Sequence, residues 1–515
     1  MPVDRVASGI RRLGQGTGAR GPAADPILRQ VHQTNASVAT LSAVEFHVSL
    51  VGRNDLTGEI YRQLRRAILD GRLPPGARLP PTRELAAQLS VSRTTVTVAY
   101  DRLMGEGFIT GRVGAGTFVS DDLPGAGHRT GATGEILRPR PIWDDLTPLV
   151  VEHPAEFDFR PGIPDARLFP YQSWRRLLAR EFSATAVGAG HYADPAGHAG
   201  LREAIAGHIG VSRGVQATAE DVVVTNGTQQ AVDLIARVLL APGDQVAVED
   251  PCYRPPWRLL ATLGAKVTGV PVDDQGMIVD AIPPGTRLIY VTPSHQFPLG
   301  MSMSLPRRLA LLAWADRHQA AILEDDYDSK FRFGGRPIEP LQTLDRAGRV
   351  IYVGSFSKTL LATLRLGFVV VPASLRHAVR TAKLLTDWHT PLPLQGALAR
   401  FIHQGLFARH LRKTRAVYRA RHEQVVEALT EQFADRLKPI PSAVGLHLAA
   451  TAPGTSDQEL EGLLGRASAA GVELLPLSLY AVDTPPQPGL IIAYGAIPTS
   501  RIGEGLGRLR RCFDD

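Results

Sequence analysis

Cysteine is scarce in this chain, which has only Cys252 and Cys512 among its 515 residues. Two cysteines cannot form the disulfide framework of a small extracellular domain, so we expect a reducing compartment. No apolar run approaches the roughly 20 residues that a membrane-spanning helix needs. The first residues also lack the apolar segment of a secretory signal. The sequence therefore predicts a cytoplasmic protein without a membrane partner.

The length and the distribution of charge both indicate several domains. A chain of 515 residues with 44% apolar residues fits a globular protein, but it is too long for a single core. We expect two or three domains. Residues 51–120 contain ten arginines and six acidic residues, a local excess of +4 in a chain of net charge +7. Such an excess suits a phosphate-backbone partner, although an ordinary basic surface is the alternative.

Residues 1–50 mix Gly, Ala, Arg and polar residues without sustained periodicity. We predict a disordered extension there. A basic arm that touches DNA is a weaker alternative.

Three helical segments follow one another within residues 51–120. In the first, apolar residues recur at helical spacing, at Ile60, Leu64, Ala67 and Ile68. The second, Arg83–Leu89, has Thr82 as its predicted N-cap, and a tight turn separates it from a third helix that Ser92 caps. Two short strands around a glycine turn then complete residues 108–119, with Arg112 near the tip. The order predicts a winged helix-turn-helix.

The third helix has the composition of a DNA reader. Arg93, Thr94 and Thr95 occupy its first turn, where arginine can contact guanine or phosphate and hydroxyls are adaptable donors. The pattern alone also permits a small helical module that docks another protein.

The amino-acid sequence of the segment favours a DNA-binding domain over a protein-docking module. Residues 60–119 read IYRQLRRAILDGRLPPGARLPPTRELAAQLSVSRTTVTVAYDRLMGEGFITGRVGAGTFV and resemble the GntR-type winged-helix DNA-binding domain along its full length. The resemblance implies operator DNA as a partner. It makes the following residues the expected DNA contacts: Arg83, Ser92, Arg93, Thr94, Thr95, Arg112 and Gly114.

Residues 121–157 are rich in Pro, Gly and charge, and we predict a linker. Residues 158–515 then contain seven strand-like apolar runs, most of them separated by helical segments. The runs are Val222–Thr225, Gln245–Glu249, Ala265–Val270, Leu288–Thr292, Ala321–Glu324, Val350–Ser355 and Phe368–Val371. This alternation predicts an α/β fold with a mostly parallel seven-stranded sheet covered by helices. From roughly residue 375 to 515 we expect a smaller C-terminal α/β domain.

Reactive side chains follow two of these runs. Lys358 comes after Gly354-Ser355-Phe356-Ser357, and Arg365 lies seven positions later. A lysine at a strand end, flanked by hydroxyls, can act as a Schiff-base nucleophile, and the hydroxyls with Arg365 can hold a phosphate. Asp325 and Tyr327 come one strand–helix repeat earlier, so the same edge of the sheet should carry them. A solvated surface lysine and a charged loop are the plain alternatives.

Two further segments complete the predicted site. Gly227, Thr228 and Gln229 follow the first strand at a helix amino end, which makes an anion site from free N–H groups and the helix dipole. Tyr253 lies in a loop after the second strand, where it can stack on a flat ring. A plain strand-to-helix turn and a half-buried loop aromatic are the alternatives.

The motifs RPGIPDARLFPYQSW, YADPAGHAGLREAIA, TNGTQQAVDL, VEDPCY, VTPSHQFPLG, EDDYDSKFRF and GSFSKTLLATLRLGF stand in this order. They resemble a fold-type I pyridoxal 5'-phosphate (PLP) domain of the aminotransferase family over about 350 residues. Together with the winged helix, the chain resembles the MocR/GabR subgroup of transcription regulators. No metal site is predicted.

The resemblance implies a role for each matching residue. It implies an internal aldimine on Lys358, with Asp325 at the ring nitrogen and Tyr327 at the ring oxygen. Tyr253 would stack on the ring, and Tyr192 would reach the partner's cofactor phosphate across a head-to-tail homodimer. The phosphate would be held by Gly227, Thr228, Gln229, Ser355, Ser357 and Arg365.

Two departures from the aminotransferase pattern qualify these expectations. His295 or Gln296 would replace the usual asparagine beside the ring. Ile491 falls at or near the position of the arginine that clamps a substrate carboxylate, and an alkyl chain cannot replace a guanidinium fork. Clamps from another direction would have to come from Arg254, Arg412, Arg415 or Arg501.

We therefore expect a DNA-binding regulator that senses PLP or an amino compound through an aldimine on Lys358. A working aminotransferase with a DNA-binding appendage remains the alternative, and a residual half-reaction stays open. A third hypothesis is a DNA-binding protein whose second domain has lost the cofactor and serves only for dimerisation.

Overall fold

The computed structural model describes the backbone of residues 37–41 and 46–50, and then residues 55–121, 138–144, 146, 155–187, 190–335, 338–484 and 487–514. The chain divides into two compact units, Met1–Arg138 and Pro139–Asp515.

None of the described helices is both long enough and apolar enough to cross a lipid bilayer.

Within residues 55–121, the first unit contains three helices and a small antiparallel sheet. The helices are α1 (Leu56–Leu69), α2 (Thr82–Leu89) and α3 (Arg93–Gly105). The strands β3 (Arg78–Leu79), β4 (Ile109–Arg112) and β5 (Gly116–Val119) pair in the order β3-β5-β4. One cluster of buried apolar side chains from all three helices forms the core. This is the predicted winged helix, and Ser92 caps α3 as expected. The predicted cap of α2 is wrong, because α2 begins at Thr82 itself after Pro81, which offers no side-chain cap.

An antiparallel hairpin precedes the winged helix. Strand β1 (Ser37–Leu41) pairs with β2 (Phe46–Leu50), with Ser37 opposite Leu50 and Leu41 opposite Phe46. The predicted disordered extension over residues 1–50 differs from this finding in its last part. Phe46–Leu50 alternates apolar and polar residues, but Ser37–Leu41 does not, and a pattern of five residues is too short to separate from chance in the sequence alone. The remaining residues of the extension lie outside the described part.

The second unit is organised around an eight-stranded mixed sheet. Its order is β10-β9-β8-β11-β12-β13-β14-β7, and the run from β9 to β13 is parallel. The strands are β7 (Val222–Thr225), β8 (Gln245–Asp250), β9 (Lys266–Asp273), β10 (Gly276–Met277), β11 (Thr286–Val291), β12 (Ala321–Asp326), β13 (Val350–Ser355) and β14 (Gly367–Val370). All seven predicted strands are present. The eighth, β10, has two residues and pairs antiparallel with β9, which is too short for any pattern to reveal.

Helices cover this sheet on both sides, as the alternation of elements predicts. Buried side chains of α6 (Ala199–Arg213) and α12 (Leu392–His403) pack with β7 and β14, whereas those of α9 (Leu305–His318) pack with β11 and β12. The helices of the second unit are α4 (Tyr171–Glu181), α5 (Ala184–Val187), α6 (Ala199–Arg213), α7 (Thr228–Leu239), α8 (Arg254–Thr262), α9 (Leu305–His318), α10 (Leu341–Leu344), α11 (Arg376–Asp387), α12 (Leu392–His403), α13 (Leu406–Gln432), α14 (Asp457–Ala469) and α15 (Thr499–Arg511).

A smaller subdomain contains the remaining strands. Strands β15 (Lys438–Pro439), β16 (His447–Thr451), β18 (Leu475–Pro476) and β19 (Gly489–Ala493) form an antiparallel sheet. Strand β6 (Phe157–Asp158) pairs in parallel with β17 (Val472–Glu473) and so brings the start of the unit to its end. The predicted span from roughly 375 is longer than this sheet, because α12 packs into the core beside β7 and β14.

Little of the predicted linker lies within the described residues, since residues 122–137, 145 and 147–154 are outside them. At its described part, Pro141–Trp143 forms a short 3-10 helix. There the Arg140 guanidinium donates to the carbonyl oxygen of Thr262 at 2.7 Å, so residue 140 is attached to the second unit.

We predict that Leu103→Ala destabilises the winged helix and that its neighbour Met104→Ala does not. Leu103 is fully buried, whereas Met104 is 43% exposed. Removing the buried side chain should cost roughly 2–5 kcal/mol, and the exposed one less than about 0.5 kcal/mol. Amide hydrogen exchange in α1–α3 of the full chain, recorded at increasing denaturant concentration, measures the local free energy of unfolding in each variant. Equal protection in the two variants would contradict the assigned packing.

Candidate functional site

Lys358 lies immediately beyond the end of β13, at the carboxyl edge of the parallel strands. Its half-buried amine donates to the carbonyl oxygen of Gly162 at 2.6 Å. Burial lowers the pKa of the Lys358 amine and nearby Arg365 lowers it further, against the opposing charges of Asp328 and Asp325. A lowered pKa leaves more of the amine neutral, which is the nucleophilic form.

Asp325 stands near the end of the adjacent strand β12, opposite Val353 of β13. The carboxylate is 3% exposed. Its Oδ2 accepts a hydrogen bond from the Tyr290 hydroxyl at 2.8 Å, whereas Oδ1 is buried and has no partner among the described residues. Burial raises the pKa of Asp325 to about 7, although the Tyr290 hydrogen bond opposes the shift. A buried acceptor atom without a partner is costly, so a donor at Oδ1 would stabilise the site.

The loop between β7 and α7 forms an anion cradle with Arg365. Gly227 has φ +80°, and a Cβ there would lie 2.7 Å from Nη2 of Arg365. The same Nη2 donates to the carbonyl oxygen of Asn226 at 2.8 Å. Arg365 itself has a left-handed φ of 51°, which places its guanidinium over the loop only at some backbone cost. Free N–H groups at the start of α7 and this cation both favour a bound phosphate.

The other predicted phosphate residues have defined positions. Thr228 begins α7, and the Gln229 side chain donates to the carbonyl oxygen of Pro255 at 2.9 Å. The hydroxyl of Ser355 accepts from the Ser357 backbone N–H at 3.0 Å, which shapes the turn before Lys358. The structure thus brings Gly227 and Arg365 into direct contact, and it occupies the side chain of Gln229 elsewhere.

The two predicted aromatic contacts differ in their surroundings. Tyr253 is 38% exposed, and its ring meets the Phe297 ring edge-on at 5.4 Å between centroids. Tyr192 is 74% exposed and stacks on Trp388 of its own chain at 4.4 Å. The reach of Tyr192 to a partner's cofactor stays a prediction.

The residues expected to replace the usual asparagine are both engaged elsewhere. The Gln296 amide donates to the carbonyl oxygens of Pro251 and Phe297, and its oxygen accepts from the Leu299 N–H. His295 contacts the Tyr327 hydroxyl, with 2.9 Å from that oxygen to Nδ1. The expectation for Gln296 is therefore wrong, because the side chain satisfies buried backbone groups of its own turn.

The residue expected at or near the usual carboxylate clamp is apolar. Ile491 is fully buried on β19 and packs with Phe297, Ala449, Leu477 and Tyr480. Of the alternative clamps, Arg501 is paired with Glu156 at 2.8 Å, and Arg412 and Arg415 are exposed on α13. Arg254 is half-buried at the start of α8, next to Tyr253. Burial lowers the pKa of Arg254, and the like charge of Arg258 adds to the shift.

In the winged helix, the predicted DNA contacts divide into free and engaged side chains. Arg83, Arg93 and Thr94 are exposed, whereas the Ser92 hydroxyl accepts from the Thr95 N–H at 3.1 Å as the α3 cap. At the end of β4, Arg112 pairs with Asp121 at 3.1 Å and lies over the Phe118 ring. Gly114 has φ +74° in the turn of the wing.

Sequence reasoning missed two buried partners of the predicted site. Tyr290 lies within a predicted strand, where it counts as an apolar core residue, but its hydroxyl bonds Asp325. Asp328 belongs to the acidic segment after β12 and is buried against His295 at 3.0 Å. A polar group within an otherwise apolar strand is the only signal that points to Tyr290.

Comparisons with known proteins show which families the two parts of the chain match. Residues 163–461 match the aminotransferase class I and II family, and residues 56–119 match the gntR family of bacterial regulatory proteins. The chain is 40% identical over 460 residues to the probable rhizopine catabolism regulatory protein MocR of Rhizobium meliloti. That alignment covers 88% of this chain and 93% of the relative. It is 34% identical to the transcriptional regulator TauR of Rhodobacter capsulatus, over 91% of this chain and 98% of that one.

A solved structure shows the fold of the second unit. The multiple substrate aminotransferase of Thermococcus profundus superposes with a TM-score of 0.65 and 28% identity, over 71% of this chain and 92% of that one. Similarity to MocR and TauR spans both domains, and the similarity to the aminotransferase spans one. The chain therefore belongs to the MocR/GabR subgroup of GntR-type transcription regulators, in which a DNA-binding winged helix is joined to an aminotransferase-like domain of a PLP-dependent family.

Proposed function

We propose that this regulator holds PLP on Lys358 and that PLP itself or an amino compound changes the affinity of the winged helix for its operator. The observation that supports this most directly is the buried Oδ1 of Asp325, for which the described part of the chain offers no partner. A protonated pyridine nitrogen supplies the donor that this atom needs. As a regulator of bacterial genes, the protein would act in the cytoplasm.

The residues present fit PLP at both ends of the cofactor. The Gly227 turn, the start of α7 and Arg365 provide a cradle for a doubly charged phosphate, and a Cβ at Gly227 would fill it. The Lys358 amine, with its lowered pKa, is suited to a carbonyl partner. When bound, PLP supplies an electrophilic carbon that captures primary amines. Tyr253 and Phe297 form an aromatic wall beside this space.

The chemistry of an effector follows from the side chains around that space. Ile491 cannot clamp a carboxylate. Arg254 is half-buried and has no acidic partner among the described residues, so an anionic group would relieve its unpaired charge. We infer an amine that carries a separate acidic group. Its carboxylate would be held by Arg254 from the side of Tyr253, rather than from β19.

The absence of the usual clamp bears on the alternative function. A working aminotransferase needs the same lysine and aspartate, and both are in place here. It must also release its product and accept a keto acid in a defined orientation. With Ile491 at the clamp position, we propose that capture of the amine dominates and that repeated transamination does not follow.

The winged helix would read DNA through α3 and the wing. Arg93 and Thr94 project from the exposed amino end of α3, so they would meet base edges or phosphates in the major groove. Arg83 would contact the backbone, and Gly114 allows the wing to turn near Arg112. Ser92 and Thr95 would act by fixing the start of α3, since the cap bond joins them.

A homodimer, with head-to-tail exchange of the winged helices, is part of the proposal. Apolar side chains remain exposed beside the cofactor site in the single chain, namely Tyr192, Leu384, Leu385 and Trp388. Leu385 is 80% exposed at the end of α11. A second copy would cover such a patch and would place Tyr192 near the partner's phosphate cradle.

We predict that Lys358→Ala removes both the cofactor and the response of the regulator. The unmodified dimer should show the visible absorbance of lysine-bound PLP, and its operator affinity should change when an amine is added. Lys358→Ala should lose the band and the change, whereas the exposed Lys438→Ala should keep both. The measurement is parallel spectroscopy and operator titration. A response that survives without Lys358 would overturn the sensor role.

We predict opposite effects of Asp325→Asn on the apo and PLP-bound proteins. A raised carboxyl pKa means that folding favours the protonated form, so stability is lost as pH rises from 3.8 through about 7. Each pKa unit is worth about 1.4 kcal/mol. The Asn variant should therefore be more stable than the parent apo protein above pH 7 and equal to it at low pH.

For PLP the sign reverses, because the charge partner of the ring nitrogen is gone. Affinity should fall roughly 10- to 100-fold, the loss expected for one hydrogen bond to a charged group. Thermal unfolding of the apo protein across pH and PLP titration give the two quantities. If Asp325→Asn raised, or lowered, both apo stability and PLP affinity, the proposal that the buried carboxylate pairs with a cationic ring nitrogen would be contradicted.

We predict that Arg93→Ala weakens operator binding and that Arg66→Ala leaves it near the parent value. Both arginines are exposed, but only Arg93 stands at the amino end of α3. Loss of a base contact should cost about 1–3 kcal/mol and relax specificity, whereas loss of a phosphate contact should reduce the salt slope by about 1. Operator titration at several salt concentrations separates the two. Similar losses in both variants would indicate a nonspecific charge effect.

A further inference from the structure

The hydroxyl of Tyr327 is occupied by its own chain. Its oxygen lies 2.9 Å from Nδ1 of His295 and 3.0 Å from the carbonyl oxygen of the same residue. A phenol has one proton and donates to one acceptor at a time. To donate to the ring oxygen of PLP, which the resemblance implies, Tyr327 would have to give up the carbonyl of His295.

Asp328 fixes the His295 ring that makes these contacts. Both carboxylate oxygens lie 3.0 Å from Nδ1, and the two side chains are 1% and 2% exposed. A carboxylate at Nδ1 holds the proton on that nitrogen, so the single Nδ1–H points at Asp328, the Tyr327 oxygen is a second and weaker acceptor, and Nδ1 cannot accept the Tyr327 proton. It follows that the Tyr327 proton is directed to the carbonyl oxygen of His295. Nε2 is then a buried lone pair, and it has no partner among the described residues.

A metal site is the other explanation for this cluster. Atoms of His295, Asp328 and His447 that can bind a metal lie within 4.8 Å of one another. Both oxygens of Asp328, however, are already directed at a ring nitrogen at hydrogen-bonding distance. His447 likewise directs Nε2 at the carbonyl oxygen of Pro298 at 3.1 Å. A hydrogen-bonded pair beside a second histidine accounts for the geometry without an ion.

A residue of the smaller subdomain, Gly445, packs directly against the His295–Asp328 pair. Gly445 has φ +90°, and a Cβ there would lie 2.5 Å from both Oδ2 of Asp328 and Nδ1 of His295. The backbone at Gly445 is anchored, because its N–H donates to Phe331 at 2.8 Å and its carbonyl accepts from the Tyr494 hydroxyl at 2.9 Å. Any shift of this segment would change the space available to the pair.

We propose that His295, held by Asp328 and confined by Gly445, is a positioning residue that determines whether the Tyr327 hydroxyl donates to the chain or to the PLP ring oxygen. The weaker share of the Nδ1–H bond that reaches the Tyr327 oxygen also polarises the phenol and makes its proton a stronger donor. The position of the smaller subdomain would thereby adjust the electronic state of the cofactor. This inference rests on the proposed binding of PLP to Lys358.

The test compares the pH at which the visible band of the PLP-bound protein converts between its two forms. A donor to the ring oxygen stabilises the anionic form, so Tyr327→Phe should move the midpoint to higher pH by roughly one unit. His295→Phe keeps an aromatic ring but loses Nδ1, and it should move the midpoint the same way by a smaller amount. The double variant should equal Tyr327→Phe, because His295 acts through Tyr327.

Three further variants keep the test decisive. His208→Phe is a matched control elsewhere in the domain and should keep the parent midpoint. Should His295→Phe fail to fold, Asp328→Asn and Gly445→Ala replace it, and each should shift the midpoint upward without removing Tyr327 or His295. Additive shifts in the double variant, or an unchanged midpoint in His295→Phe or in both replacements, would overturn the inference. Absence of the visible band in the parent protein would instead contradict the proposed function.

Discussion

The buried carboxylate of Asp325 is the constraint on which the proposed cofactor site depends. A carboxylate at 3% exposure in a strand end has lost most of its hydration, and Tyr290 satisfies only one of its two oxygens. The resulting rise in pKa is a cost that a structural role does not require, because an amide or an alkyl side chain would pack there without it. The cost is understandable if a cation completes the site. The nearby lowered pKa of Lys358 has the same origin, since both groups are removed from water at one sheet edge.

Much of this arrangement follows from sequence because it depends on strand order rather than on side-chain detail. Asp325 and Lys358 each follow an apolar run, and parallel neighbours place such ends side by side. The contact between Gly227 and Arg365 is also accessible in this way, because β14 joins β13 to β7 and brings residues 225 and 367 into register. The winged helix was predictable for a different reason, since helical periodicity and the Ser92 cap are local features.

The sequence could not predict which of several competing hydrogen-bond partners each polar side chain takes. Gln296 has a suitable amide for a cofactor ring, but its own turn contains backbone groups that need the same donors and acceptor. Tyr327 has a suitable hydroxyl, but His295 is close enough to compete for it. Both outcomes are set by differences of about one hydrogen bond, which motif matching cannot resolve. The two-residue strand β10 and the hairpin β1–β2 are too short to give a reliable pattern.

The same reasoning explains how an aminotransferase-like domain can serve a regulator. Turnover needs a site that holds substrate, product and second substrate in equivalent poses, and a fixed guanidinium fork provides that equivalence. Here the residue expected at or near that position is Ile491, within an apolar cluster, while the lysine, the aspartate and the residues of the proposed phosphate cradle are present. Capture of an amine requires only the residues that are present. A domain that captures an amine but cannot hold a second substrate in the equivalent pose would remain in the amine-bound state. A lasting change is more useful to a DNA switch than to a catalyst, because an equilibrium shifts only while the differential contacts persist.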